Sequence, residues 1–402
     1  MPLPAGAAAI FPFAADWSSP VRETREYKTD IIPARSGTEQ RRALRSKPRQ
    51  GLAFDLVLDG SDANAFDYQL YALQPHYWLL PLWQRQRRLA APALTGANTL
   101  VLDQPLAFEA QAGDDLVLMR AGQAPEAQQI ESLSTDRKTI TLADVLAADW
   151  PQHASLYPAS QAQLTQTFNA TRPTAGLVKA SLAFELKVDN RAPAASSLSS
   201  DLTIGGLEVL QRGINWVDAP EVGFTWAPQR IDGGNGPTSY VTVGDLAPNT
   251  RKGTVSCDSR DELDWWLAFF DRCRGRQKPF LMPTWLDLNL QQPLTAGATF
   301  EVAGTELGTY LADDPVHSHL MVRLWDGSLA FFAITGLTVN AADGVTVINT
   351  AEAWGEAYNP WQCLQACLVT SCRLASDRLE VEWVTDEVAS FALAVQLVED
   401  VA

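Results

Sequence analysis

Trp78-Leu79-Leu80-Pro81-Leu82-Trp83 returns about 200 residues later as Phe280-Leu281-Met282-Pro283-Thr284-Trp285. A single hexapeptide could coincide by chance, but its neighbours keep nearly the same spacing. Trp17-Ser18-Ser19-Pro20-Val21 corresponds to Trp216-Val217-Asp218-Ala219-Pro220-Glu221-Val222, with an insertion of a residue or so. Residues 116–120 match 320–324, Ile130 and Leu133 match Ile334 and Leu337, Thr139-Ile140-Thr141 pairs with Thr346-Val347-Ile348, and Trp150 with Trp354. A period this long is that of a duplicated domain rather than a stacked solenoid. The halves divide as residues 1–195 and 196–402, meeting at the Pro/Ala/Ser-rich residues 190–200.

Around each hexapeptide the local pattern is the same. Residues 52–58 alternate as a strand closed by Asp59-Gly60, and a helix then begins near Asp62 with Phe66, Leu70 and Leu73 on one face and Pro75 ending it. Its counterpart has Ser259 as N-cap, Asp261 and Glu262 at the positive end of the dipole, an apolar stripe of Leu263, Trp266, Leu267 and Phe270, and Gly275 as its stop. Short alternating strands follow in both halves, with turn chemistry at Gly113-Asp114 and Asp326-Gly327. Residues 180–188 and 391–398 close each half as a strand. The predicted class is mainly β with a few helices: two tandem sandwich or small-barrel domains, each with a flanking helix.

The 402 residues suffice for two cores, and a formal charge of −16 disfavours nonspecific binding to nucleic acid or anionic membrane. No apolar run approaches the roughly 20 residues that span a bilayer. The alanine-rich start lacks a basic region and is broken by Pro4 and Pro12, so the expectation is a protein that stays in the cytoplasm where it is made. Against this acidic background residues 20–50 carry about +5, including Arg22, Arg25, Arg35, Arg41, Arg42, Arg45 and Arg49, with Glu23, Glu26, Asp30 and Glu39 among them. Guanidinium forks make directional contacts with carboxylates, so this arm is expected to hold a neighbouring subunit.

Catalytic constellations are sparse: no phosphate loop, nucleophile elbow or paired-cysteine site occurs. His317 and His319, in Asp313-Asp314-Pro315-Val316-His317-Ser318-His319, could face one ion on a strand, and Cys363, Cys367 and Cys372 could be imagined as ligands. The cysteine spacing is not that of zinc ribbons, and the histidine pair has no first-half equivalent. The expectation is therefore no cofactor, no bound metal and no enzymatic activity. Thirteen tryptophans could make a sugar platform, but most sit within the repeated patterns where burial is expected.

Residues 17–21, Glu26-Tyr27-Lys28-Thr29-Asp30-Ile31, the run from Ser36-Gly37-Thr38-Glu39-Gln40-Arg41-Arg42 to Arg45, and Pro48-Arg49 resemble proteins of long-tailed bacteriophage tail tips. The helix followed by an aromatic-proline strand is similar, in both halves, to the distal-tail and baseplate-hub families. The resemblance implies tube-like β domains, a virion-tail location after assembly in the host cytoplasm, and a ring that joins the tail tube to the adsorption apparatus. Two tube-like units per chain would close a pseudo-sixfold ring as a trimer, or a twelve-unit ring as a hexamer. Its partners would be itself, the tail tube protein and other tail-tip proteins, with Arg35, Glu39, Arg41, Arg42, Arg45 and Arg49 at the contacts. Two other readings are a receptor- or carbohydrate-binding virion module and a metal-dependent hydrolase.

Overall fold

The computed structural model describes residues 9–33, 39–73, 77–165, 168–187, 202–215, 219–224, 229–234, 236, 238–241, 249–291, 297–312, 316–354 and 363–398. The chain is mainly β with few helices. The first half contributes β1 (Ala9–Ile10), β2 (Val21–Glu26), the hairpin β3 (Thr29–Pro33) and β4 (Glu39–Ala43), β5 (Arg49–Asp59), α1 (Gly60–Leu73) and β6 (Trp78–Pro81). It continues through β7 (Arg87–Arg88), β8 (Thr99–Val101), β9 (Asp115–Arg120), β10 (Gln123–Leu133), β11 (Thr139–Leu142), β12 (Ser155–Leu164), β13 (Ala170–Thr174) and β14 (Leu177–Leu186).

The second half begins with β15 (Thr203–Ile204), β16 (Leu207–Glu208), β17 (Glu221–Phe224), the hairpin β18 (Gln229–Asp232) and β19 (Thr238–Val241), β20 (Asn249–Cys257), α2 (Arg260–Cys273) and β21 (Phe280–Pro283). It ends with β22 (Gly297–Ala303), the one-turn α3 (Glu306–Tyr310), β23 (His319–Leu324), β24 (Leu329–Asn340), β25 (Val345–Trp354), β26 (Cys363–Leu374), β27 (Arg378–Trp383) and β28 (Ala389–Leu397).

The strand pairings of one half recur in the other. β5 lies antiparallel to β14 as β20 does to β28, and β2 flanks β5 as β17 flanks β20. The long strand β12 pairs β6, β9 and β14; β26 pairs β21, β23 and β28. Beyond them β9–β10–β11–β8 is repeated as β23–β24–β25–β22. Registers agree as well: Trp78 faces Ala162 where Phe280 faces Cys372, and Leu116 faces Pro158 where Leu320 faces Leu368. Even the irregularity after Ile130 returns after Ile334. One correspondence shifts. Ile140, opposite Leu133, is equivalent to Ile348, opposite Leu337, and not to Val347, because strand alternation sends both isoleucines into their cores.

The first four residues of each hexapeptide form a strand buried along its length, β6 and β21, and the closing Trp83 and Trp285 lie just beyond them, also buried. The helix predicted from Ser259 starts there, its hydroxyl accepting from the Glu262 amide at 3.3 Å, and ends at Arg274 and Gly275, both left-handed. α1 begins at Gly60, earlier than Asp62, and buries Phe66; Pro75 lies outside the described residues, as do Trp216, the linker 190–200 and Arg35. The expectation of two separate cores is corrected. The largest cluster draws Phe11, Phe54, Phe66 and Phe184 from the first half and Trp266, Phe269, Phe280 and Phe391 from the second, while each half keeps a smaller cluster under its outer strands, around Trp150 and around Trp354. The halves fuse because β2 pairs with β27 along six residues, from Val21 opposite Trp383 to Glu26 opposite Arg378.

Candidate functional site at the junction of the two halves

The sequence of β2, Val21-Arg22-Glu23-Thr24-Arg25-Glu26, alternates sides as any strand does. Val21, Glu23 and Arg25 face inward, so an acid and a base enter the protein together, with 5% and 1% of their surface exposed. Burying charge is tolerable only when it is paired and hydrogen-bonded. Arg25 donates from Nε and Nη2 to Glu23 Oε1 at 3.1 and 3.0 Å, from Nη2 to Glu109 at 2.9 Å, and from Nη1 to Asp271 of α2 at 3.1 Å. Arg85, also buried, donates to Asp264 of α2 at 2.9 Å and lies 3.6 Å from Glu23. Gln84 and the Trp383 indole both donate to Glu23 Oε2, at 3.1 and 3.2 Å. Two arginines of the first half thus grip two aspartates seven positions, about two turns, apart on α2.

The protonation states follow from this geometry. Burial alone would raise Glu23, yet Arg85 and Arg25, with the Gln84 hydrogen bond, hold it at about 2. Asp271 is pushed up to about 6 by burial, against the pull of Arg25, and Asp264 is raised by burial against Arg85. Tyr27 donates to Asp271 at 3.0 Å, and its phenol is raised far above its ordinary range by burial and that carboxylate.

Three further staples cross the same seam. Asp377 accepts from the Thr29 amide at 2.7 Å, the Thr29 hydroxyl at 2.8 Å and the Arg276 amide at 2.8 Å. Arg260 donates to the Gln86 carbonyl at 3.2 Å and to the Asp386 carbonyl. Arg41 donates to the Arg276 carbonyl at 2.7 Å and pairs with Glu39. A cleft of about 740 Å³ opens beside the network, with Tyr27, Arg85, Glu109 and Asp271 on its wall.

The arm residues expected at a subunit contact therefore behave differently from one another. Arg41 and Glu39 belong to this internal seam. Arg45 donates to the Glu26 side chain at 3.1 Å, Arg49 lies 3.8 Å from Glu185, and Arg42 sits opposite Asp30 in the β3–β4 hairpin. The structure brings Arg25 and Arg85 to the centre instead. Arg25 lay in the basic stretch; Arg85, Glu109, Asp264 and Asp271 had no signal in it, because their pairing joins residues up to 246 positions apart.

Among the described residues no group of three or more His, Cys, Asp or Glu side chains is placed to hold a metal ion, and no helix is long and apolar enough to cross a membrane. His319 is half-buried beside the Ser318 hydroxyl at 2.8 Å, and burial lowers its pKa; Asp313 and Asp314 lie outside the described residues. Cys257, Cys273, Cys367 and Cys372 are buried and Cys363 partly so, and burial raises their thiols, Cys372 to about 11. Trp17 and Trp325 are the exposed tryptophans among the described residues, at 37% and 73%. Comparison with models of known protein families and with curated proteins finds no match.

Proposed function

We propose that the chain is a structural component of a bacteriophage tail tip, of the distal-tail or baseplate-hub type. It closes a ring between the tail tube and the adsorption apparatus. One observation carries this reading: two copies of one β topology are fastened edge to edge inside a single polypeptide through β2 and β27. That junction turns two wall segments into one stiff block, which suits a ring built from few chains. The charges at the seam act as a clamp. Every carboxylate there has an arginine, tryptophan, glutamine or tyrosine partner, an arrangement that fixes geometry rather than moving protons. The tail resemblance of residues 17–49 points to the tube and other tail-tip proteins as neighbours in the virion.

Electron microscopy of the purified protein tests the reading, together with antibody labelling of intact particles. Rings with an axial pore, and label at the tail end distal to the capsid, are expected. Label on the capsid, or its absence from particles, would overturn it.

A further inference from the structure

The cleft beside the seam has no task in the ring role, and it exists only because the two halves meet. One wall comes from the first half, the β8–β9 connection around Phe108 and Gln111 with Pro158–Gln161 of β12; the other is the end of α2 and the turn that reaches Lys278. Its volume of about 740 Å³ lies within the range of about 300 to 1000 Å³ typical of ligand sites. The carboxylates on its wall are already engaged. Arg25 holds Glu109 and Asp271, Tyr27 donates to Asp271 as well, Asp114 accepts from the Gln111 amide at 2.8 Å, and Asp115 also has a partner.

The groups that remain available are of two kinds. Arg274 and Lys278 are exposed cations without an ion pair or side-chain hydrogen bond among the described residues. Their backbone is fixed, since the Arg274 amide donates to the Asp271 carbonyl at 3.2 Å and the Lys278 amide to the Cys273 carbonyl at 3.0 Å. Arg274 is left-handed at φ 53°, a position that glycine or asparagine ordinarily takes, so a guanidinium is kept at this lip at some cost in strain. The second kind is neutral. Gln50 and Gln111 are half-buried, and their side-chain amides make no hydrogen bond among the described residues. Gln129 spends its amino group on the Gly113 carbonyl and Gln161 its carbonyl on Lys187, which leaves the other end of each amide open. Phe108 adds a partly exposed ring.

This set suits a polyhydroxylated anion. A sugar hydroxyl both donates and accepts, as a glutamine amide does, and the apolar face of a sugar ring lies against an aromatic one. Cations fixed at one lip favour a carboxylate on the same molecule. A peptide would bring apolar side chains that need pockets. Beyond alanine and proline, the wall has only Leu82, Phe108 and the buried Tyr27 to receive them among the described residues.

We propose that the cleft binds a short acidic oligosaccharide, with its carboxylate at Arg274 and Lys278 and its hydroxyls at Gln50 and Gln111. The site goes beyond the ring role and does not depend on it.

Calorimetric titration of the full chain with trigalacturonate and with sialyllactose tests it, with maltotriose as a neutral sugar and hexaglutamate as an acidic peptide. At least one of the acidic saccharides should bind at one per chain, and maltotriose about tenfold or more weakly than that. Arg274→Asn combined with Lys278→Ser should weaken the binding about tenfold or more, asparagine being tolerant of the left-handed backbone. Gln111→Ala should weaken it about threefold or more, and thermal melts that match the wild type show these variants to be folded. Arg323→Ser, which removes an exposed cation of β23 that is not on the cleft wall, should leave binding unchanged. Saturable binding of neither acidic saccharide, an equal loss in Arg323→Ser, or tighter binding of hexaglutamate would overturn the proposal. Ring formation is read separately by electron microscopy and stands or falls on its own result.

Discussion

Replacing Arg25 by methionine tests whether the seam is held by its charges. The substitution keeps the length of the apolar stem but removes hydrogen bonds to Glu23, Glu109 and Asp271 from a site that is 1% exposed. Breaking a buried ion pair by deleting one partner costs about 3 to 5 kcal/mol, because the other partner's charge stays buried. Here the remaining acids can shed part of that cost. Glu23 keeps Arg85, and Asp271, already at about 6, needs little further shift to take up a proton at neutral pH. About 3 kcal/mol at pH 7.5 is therefore expected, at the lower end of that range. The sign of the pH dependence follows. Without Arg25 the folded-state pKa of Asp271 rises further above its unfolded value of 3.8, so the variant gains stability as pH falls through that raised value. The loss should shrink by about 1 to 2 kcal/mol between pH 7.5 and 5. Urea unfolding followed by tryptophan fluorescence reads both quantities, with Trp383 inside the network as reporter, at one fixed protein concentration. A loss under 1 kcal/mol, or one independent of pH, would falsify the clamp.

Glu23→Gln works in the opposite pH window. Its folded pKa of about 2 lies below 4.5, so its contribution is fully present above pH 4.5 and fades as pH falls toward 2; wild type and variant should converge there in acid-unfolding curves. Asp377→Ala removes three hydrogen bonds between the base of the β3–β4 hairpin and the end of α2, and should cost about 2 to 3 kcal/mol. Amide exchange at Thr29 should accelerate in that variant, and unchanged protection there would show the staple to be incidental. Gly275→Ala should destabilise by at least about 1 kcal/mol in thermal melts, since the residue has φ +62° and a Cβ would come within 2.6 Å of Asp377 Oδ1 and 3.0 Å of its Cα.

Much of the architecture was legible where local chemistry dictated it. The Ser259 cap, the aromatic face of α2 and the alternation of β14 and β28 depend on neighbours in sequence, so spacing alone revealed them. β12 was not legible, although it is a hub of the first half's sheet, because Ser155–Leu164 carries small and polar residues with a proline and little alternation. The seam was hidden for a different reason. Strand periodicity could have placed Glu23 and Arg25 on the same side as Val21, but charges at such positions read as solvated until their partners on α2 are known. α2 itself read as half-buried; it is buried nearly all round because its polar face carries the aspartates that the first half grips. The basic arm likewise read as a surface for other subunits, while Arg41 spends its guanidinium on a backbone carbonyl 235 residues away.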